Sequence, residues 1–186
     1  MNKILWLDLE TTGLNENENH IVQIGAIVDH KGEEIDRFNT LIKPPFLPFD
    51  YNIGAGNATS LTKEMLDANG DSPSQAFDDF TQFLGKHIKP NSKKNKFFLA
   101  GKNINFDRKF LEVFFDNFDD QLIRYIYPLV IDIDSLICKA VIEEKMKPDN
   151  FRLGTVANAL GIELIGAHDA MNDIMATKNI YYKLIK

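Results

Sequence analysis

The sequence predicts an α/β fold in which a mixed β-sheet is flanked by helices. Three observations carry this expectation. Strand-like segments crowd the opening of the chain, short apolar strands alternate with helix-period segments further on, and Pro44, Pro45 and Pro48 mark the boundary between the two regimes.

Residues 3–9 and 21–29 read as strands, the second (Ile21-Val22-Gln23-Ile24-Gly25-Ala26-Ile27-Val28) being rich in β-branched side chains, and residues 35–42 read as a third. Helical patterns follow at 61–69 and 74–88. In the latter, Ala76, Phe77, Phe80, Phe83, Leu84 and Ile88 recur at spacings of three and four, and Gly85 is tolerated. After a lysine-rich connection, 96–100 reads as a short buried strand. Residues 104–118 then read as a helix turning Phe106, Phe110, Leu111, Phe114, Phe115 and Phe118 inward. A strand at 129–133 precedes helices at about 135–146, 152–160 and 169–185. There is no internal repeat and no low-complexity linker, so residues 1–186 read as a single domain.

Composition bounds the function. A chain of 186 residues that is 44% hydrophobic, with 14 Phe, 11 Gly and 7 Pro, can bury a sizeable core, which excludes disorder and collagen-like repeats. Its 27 acidic and 21 basic residues give a net charge of −6, which argues against coating nucleic acid by bulk charge but not against local contact with it. Asp8 and Glu10 interrupt the apolar N-terminus before a signal peptide's core is complete, and nothing later approaches the roughly 20 apolar residues of a membrane span. The single cysteine, Cys138, can form neither an internal disulfide nor a multi-cysteine zinc site. A cytoplasmic protein without membrane association is expected.

Three segments could carry chemistry. In Leu5-Trp6-Leu7-Asp8-Leu9-Glu10-Thr11-Thr12-Gly13, strand alternation places Ile4, Trp6, Asp8 and Glu10 on one face, with both carboxylates where Thr-Thr-Gly ends the strand. Two acids beside a buried strand are costly unless a cation joins them, and oxygen donors suit magnesium or manganese. A solvated strand end that only aids solubility explains them equally well. Asp107 shares a helical stripe with Leu111, Phe114 and Phe118 one turn from its helix start, so it points inward; an acid complementing the helix dipole is the plainer reading. In Ala167-His168-Asp169-Ala170-Met171-Asn172-Asp173, Asp169 is a plausible N-cap. Ala170 and Thr177 flank Asp173 on its face, so this helix could approach the sheet closely. His168 beside a carboxylate cluster is a candidate base, although a lone histidine before a helix is usually structural.

In order and spacing, Asp8-Leu9-Glu10-Thr11-Thr12-Gly13, the Asn103–Asp107 segment and the His168–Asp173 segment resemble the three motifs of the DEDDh-type, DnaQ-like 3′-to-5′ exonucleases, relatives of the polymerase proofreading subunit. The resemblance runs from residue 4 to about 180. It implies a ribonuclease H-like five-stranded sheet, three antiparallel strands followed by parallel ones, in a single exonuclease domain. It further implies that Asp8, Glu10, Asp107 and Asp173 hold two divalent cations, Mg2+ or Mn2+, about 4 Å apart. His168 would be the base, and 5′-mononucleotides would leave single-stranded DNA or RNA 3′ ends. Substrate contacts would fall at Thr11, Thr12, Gly13, Leu14, Leu61, Asn103 and Phe106, with Leu14 wedged against the last base. The sequence departs from the family at Thr59-Ser60-Leu61-Thr62, where His-Gly-Ile-Thr is common, and at Lys102, where many members carry His. These departures touch substrate recognition and leave the metal ligands intact.

Lys86, Lys89, Lys93, Lys94 and Lys96 form a basic cluster that reads more readily as a solubilising surface than as a strand-binding one. Arg108 and Lys109, next to Asp107, are better placed for a phosphate. A polymerase or another processivity partner is expected. The alternatives are a non-catalytic metal-binding accessory subunit and a haloacid-dehalogenase-type phosphatase; the latter needs a nucleophilic Asp-x-Asp and a downstream lysine and has no use for His168.

Overall fold

The computed structural model describes residues 3–45, 61–163 and 169–186. The opening β region is three antiparallel strands, β1 (Lys3–Thr11), β2 (Ile21–His30) and β3 (Glu33–Leu41). Helices α1 (Lys63–Asn69) and α2 (Pro73–His87) follow, each started by a hydroxyl cap: Thr62 accepts from the Met65 N–H, and Ser72 accepts from the Gln75 N–H just ahead of Pro73. Strand β4 (Phe97–Gly101) leads to α3 (Ile104–Asp116), and β5 (Ile126–Asp132) leads directly to α4 (Ile133–Ile142). Helices α5 (Leu153–Ala159) and α6 (Ala170–Leu184) complete the chain.

The sheet order is β3-β2-β1-β4-β5, with β4 and β5 parallel to β1. This is the mixed five-stranded sheet that the sequence predicts. Two boundaries differ from the expectation of a strand at 129–133 and a helix at 135–146. Strand β5 starts at Ile126 because it lies at the sheet edge and bulges there. The pairs Phe97–Ile126 and Leu99–Val130 leave Phe98 alone opposite Tyr127, Pro128 and Leu129, so the missing Pro128 N–H breaks no ladder. Helix α4 stops at Ile142, and Glu144 takes a left-handed φ of 58° just beyond it.

Period-two alternation in β1 divides the core between the two sheet faces. Leu5, Leu7 and Leu9 pack with Phe80, Phe83, Phe110, Phe114 and Phe115 from α2 and α3. Trp6 packs on the opposite face with Ile137, Val156, Ile174 and Ile180 from α4, α5 and α6. Fully burying one such phenylalanine contributes about 1.5–3 kcal/mol, so the aromatic stripes of α2 and α3 fix that face firmly. Among the described residues, no helix is long and apolar enough to cross a membrane.

Candidate active site

The site forms where β1 runs past its parallel neighbour. The β1–β4 ladder ends at Trp6–Ala100, and β4 itself ends at Gly101, so among the described residues no strand lies beside the outer edge of β1 beyond Leu7. The Leu9 N–H on that edge donates instead to Asp107 Oδ1 at 3.0 Å, in the interior. Asp107 is 5% exposed. Its place in the first turn of α3 lets it reach the end of the sheet while Leu111, Phe114 and Phe115 anchor the same helix in the core.

On the other face, α6 is drawn in by a glycine. Asp8 pairs with Gly25 across the β1–β2 ladder. A Cβ on Gly25 would lie 2.9 Å from Ala170 Cβ and 3.0 Å from Ile174 Cδ1, so only glycine allows the first turns of α6 to sit this close. That approach brings Asp169 and Asp173 within electrostatic reach of Asp8. Asp169 is also the N-cap, its Oδ1 accepting from the Met171 N–H at 3.3 Å.

The electrostatics follow from this packing. Part of Asp8 is open to solvent, yet burial of its carboxyl, followed by repulsion from Asp107, Glu10, Asp173 and Asp169, holds its pKa well above the usual carboxylate range. Burial pushes Asp107 up to about 8, against the lowering effect of the Leu9 N–H, and Glu10 and Asp132 add to the rise. Among the described residues, no group of three or more His, Cys, Asp and Glu stands ready as a closed metal cage. The fold instead holds the acids together against their mutual repulsion, and among the described residues the charges that act on Asp8 are all carboxylates. An all-oxygen donor set whose members repel one another fits a hard divalent cation.

The turn after β1 is tightly tied. Thr11 Oγ1 donates to the Gly13 carbonyl at 2.7 Å, the Thr12 N–H donates to the His20 carbonyl at 2.9 Å, and the His20 N–H returns to Thr12 Oγ1 at 2.9 Å. A Cβ on Gly13 would stand 2.4 Å from Asn19 Oδ1. Leu14 projects beyond this turn at 71% exposure. Asn103 is exposed at the start of α3, and Phe106 is half-buried with its ring 4.9 Å from Phe110. Leu61, in contrast, is 6% exposed and packs with Val22 and Leu66. His168, Thr59 and Ser60 lie outside the described residues.

Several basic side chains noted in the sequence are engaged elsewhere or lie away from the acids. The Arg108 guanidinium is held by Glu112 at 2.8 Å and the Pro128 carbonyl at 3.0 Å. Lys102 pairs with Asp134 at 2.8 Å. The Lys86–Lys96 cluster leads into the start of β4, beside Lys3. Lys3 and Glu10 stand seven strand residues apart, about 23 Å, so the cluster is at the opposite end of the sheet from the acids. Sequence reasoning missed two acids. Asp169, in sequence only a plausible N-cap, adds to the charge on Asp8, and Asp132, which no sequence pattern singles out, acts on Asp107.

A family model described as RNase T, exonuclease, matches residues 5–181. Among curated proteins, the chain is similar to the PolC-type DNA polymerase III of Thermotoga petrophila, with 26% identity over 180 residues, covering 97% of this chain and 12% of that protein. It is 30% identical over 179 residues to the PolC-type DNA polymerase III of Bacillus cereus, covering 96% and 11%. The chain thus spans about one-eighth of the length of these relatives. Among solved structures, E. coli Exonuclease I in complex with a dT13 oligonucleotide superposes with a TM-score of 0.78 at 25% identity, covering 100% of this chain and 41% of that one. The zinc ion bound form of the E. coli ExoI–ssDNA complex gives 0.79 at 26% identity, with the same coverages of 100% and 41%.

Proposed function

Because the chain belongs to the exonuclease family whose model spans residues 5–181, we propose that it is a metal-dependent 3′-to-5′ exonuclease that removes 5′-mononucleotides from single-stranded DNA or RNA. The observation that carries this reading is the group of like-charged carboxylates at the end of β1, with Asp8 and Asp107 held above their ordinary pKa values. Asp8, Glu10, Asp107 and Asp173 would hold two Mg2+ or Mn2+ ions. Such ions, when bound, activate water and neutralise charge on the phosphate and the leaving oxygen.

The chain's own residues position the strand and move the proton. The Thr11–Leu14 turn receives the terminal nucleotide, its internal hydrogen bonds holding the backbone in place while Leu14 meets the last base. Phe106 and the exposed Asn103 flank that nucleotide from the start of α3. His168 takes the proton of a water that attacks the phosphorus between the last two nucleotides. The bond to the 3′ oxygen of the penultimate nucleotide breaks, and that oxygen takes a proton from solvent. The likeness to PolC-type polymerases and to an exonuclease solved with oligonucleotides supports DNA as the better substrate and a polymerase as the partner supplying processivity.

Matched 3′-labelled DNA and RNA oligonucleotides, digested with Mg2+ or Mn2+, test the reading. Mononucleotides released from the 3′ end are expected, and no release from either polymer overturns it in favour of a non-catalytic metal-binding subunit. His168→Ala is expected to lower turnover far more than metal affinity. Equal loss of both would make the histidine a ligand instead of a base.

A further inference from the structure

We propose that Asp132 is a positioning residue of this site. One carboxylate oxygen clasps the start of α3 to the start of α4 and thereby fixes where Asn103 and Asp107 stand. The inference rests on the reading of Asp107 as a metal-holding acid.

Strands β4 and β5 end level with each other, Gly101 pairing with Asp132, and each feeds a helix. Asp132 Oδ1 accepts from the Asp134 N–H at 3.0 Å, which is the ordinary cap of α4. The same oxygen also accepts from the Asn103 N–H at 3.2 Å, which belongs to the other helix. Helix α3 has no side-chain cap of its own. Asn103 sits at its N-terminus with a left-handed φ of 52° and makes no side-chain cap bond. The first turn of α3 is therefore held from outside, by Asp132 at Asn103 and by the Leu9 N–H at Asp107. The Lys102–Asp134 ion pair crosses the same corner at 2.8 Å. Gly101 keeps the corner tight, since a Cβ there would lie 2.9 Å from the Leu7 carbonyl oxygen. A cap that only started α4 would have no bond to Asn103. The bond from Asn103 makes Asp132 the link between β5 and the turn that carries Asp107.

Two substitutions separate capping from clasping. Asp132→Asn keeps an acceptor oxygen at the same reach. Asp132→Ser is a comparable N-cap whose oxygen is one bond nearer the backbone, so it retains the start of α4 and gives up Asn103. Under the proposal, D132S keeps the parent's melting temperature. Its amides at 103–107 exchange about tenfold faster or more, the Mn2+ concentration at half-saturation rises in calorimetry with the metal alone, and kcat falls on the order of 10- to 100-fold with little change in KM. D132N recovers most of each loss. Parent-like exchange and Mn2+ binding in D132S overturn the proposal, as does a D132N variant as impaired as D132S, which would show that charge matters and the acceptor does not. If the parent releases no nucleotides, the exonuclease reading fails while amide exchange and Mn2+ binding still decide the clasp.

Discussion

Helix α6 meets two acids of the sheet and treats them oppositely. At Asp29 on β2, fully buried, it brings Lys178 Nζ to 3.2 Å and the Tyr182 hydroxyl to 2.8 Å, and the Gly32 N–H adds a third contact at 2.9 Å. At Asp8 on β1, the same helix brings Asp169 and Asp173, two more negative groups. A buried charge is tolerated when it is paired and hydrogen-bonded, and Asp29 meets that condition within the protein. Asp8 does not. The contrast shows that the fold can neutralise an acid in this layer, and the repulsion left standing at Asp8 supports the proposal that a cation joins these acids.

Substitutions at the two acids sharpen the contrast because their effects on stability should have opposite signs. Asp8→Asn is expected to abolish nucleotide release, on the order of 10³-fold or more, while raising the melting temperature of the metal-free protein by removing one charge from the cluster. Near-normal activity in D8N would break the assignment. Asp29→Asn leaves Lys178 buried without its counter-charge and should cost about 3–5 kcal/mol in denaturant unfolding, with turnover per folded molecule unchanged. Gly25→Ala is the smallest change. Overpacking against Ala170 and Ile174 should cost about 1–3 kcal/mol and weaken Mn2+ binding by moving the first turns of α6 away from Asp8. Unchanged Mn2+ affinity in a destabilised G25A would separate the close approach from the site.

Much of this was legible along the chain. Alternation placed Asp8 and Glu10 on the face of Trp6, and the stripe through Leu111 and Phe114 turned Asp107 inward, because both patterns are local. Ala170 and Thr177 announced a close approach by α6. That Gly25 receives it depends on strand pairing that no periodicity reports. The Asp29–Lys178 pair joins residues far apart in the chain, and Arg108 is taken up by Pro128 on a neighbouring strand, so neither partner can be read from spacing. The lysine cluster adjoins the site in neither sequence nor space, because β4 must start at the far end of the sheet to run parallel to β1. Strand β5 runs back to Ile126 past Pro128, and only the bulge at the sheet edge, which local periodicity does not report, shows how the proline is accommodated.

Melting the protein across pH with and without Mn2+ asks whether the acidic end of the sheet takes divalent cations. Folding holds the Asp8 and Asp107 carboxyls above the roughly 3.9 of an unfolded aspartate, Asp107 at about 8, so the folded state binds more protons than the unfolded chain. The stability this gives is fully present below about pH 4 and is lost as pH rises through about 8. A bound cation takes the place of those protons, so its stabilising effect should grow across the same window. The metal-free melting temperature should fall from about pH 5 to about pH 8, the Mn2+ increment should widen over that range, and neither trend should reach full size in D8N. Melting curves whose pH dependence is the same with and without Mn2+ would contradict divalent-cation binding by these acids.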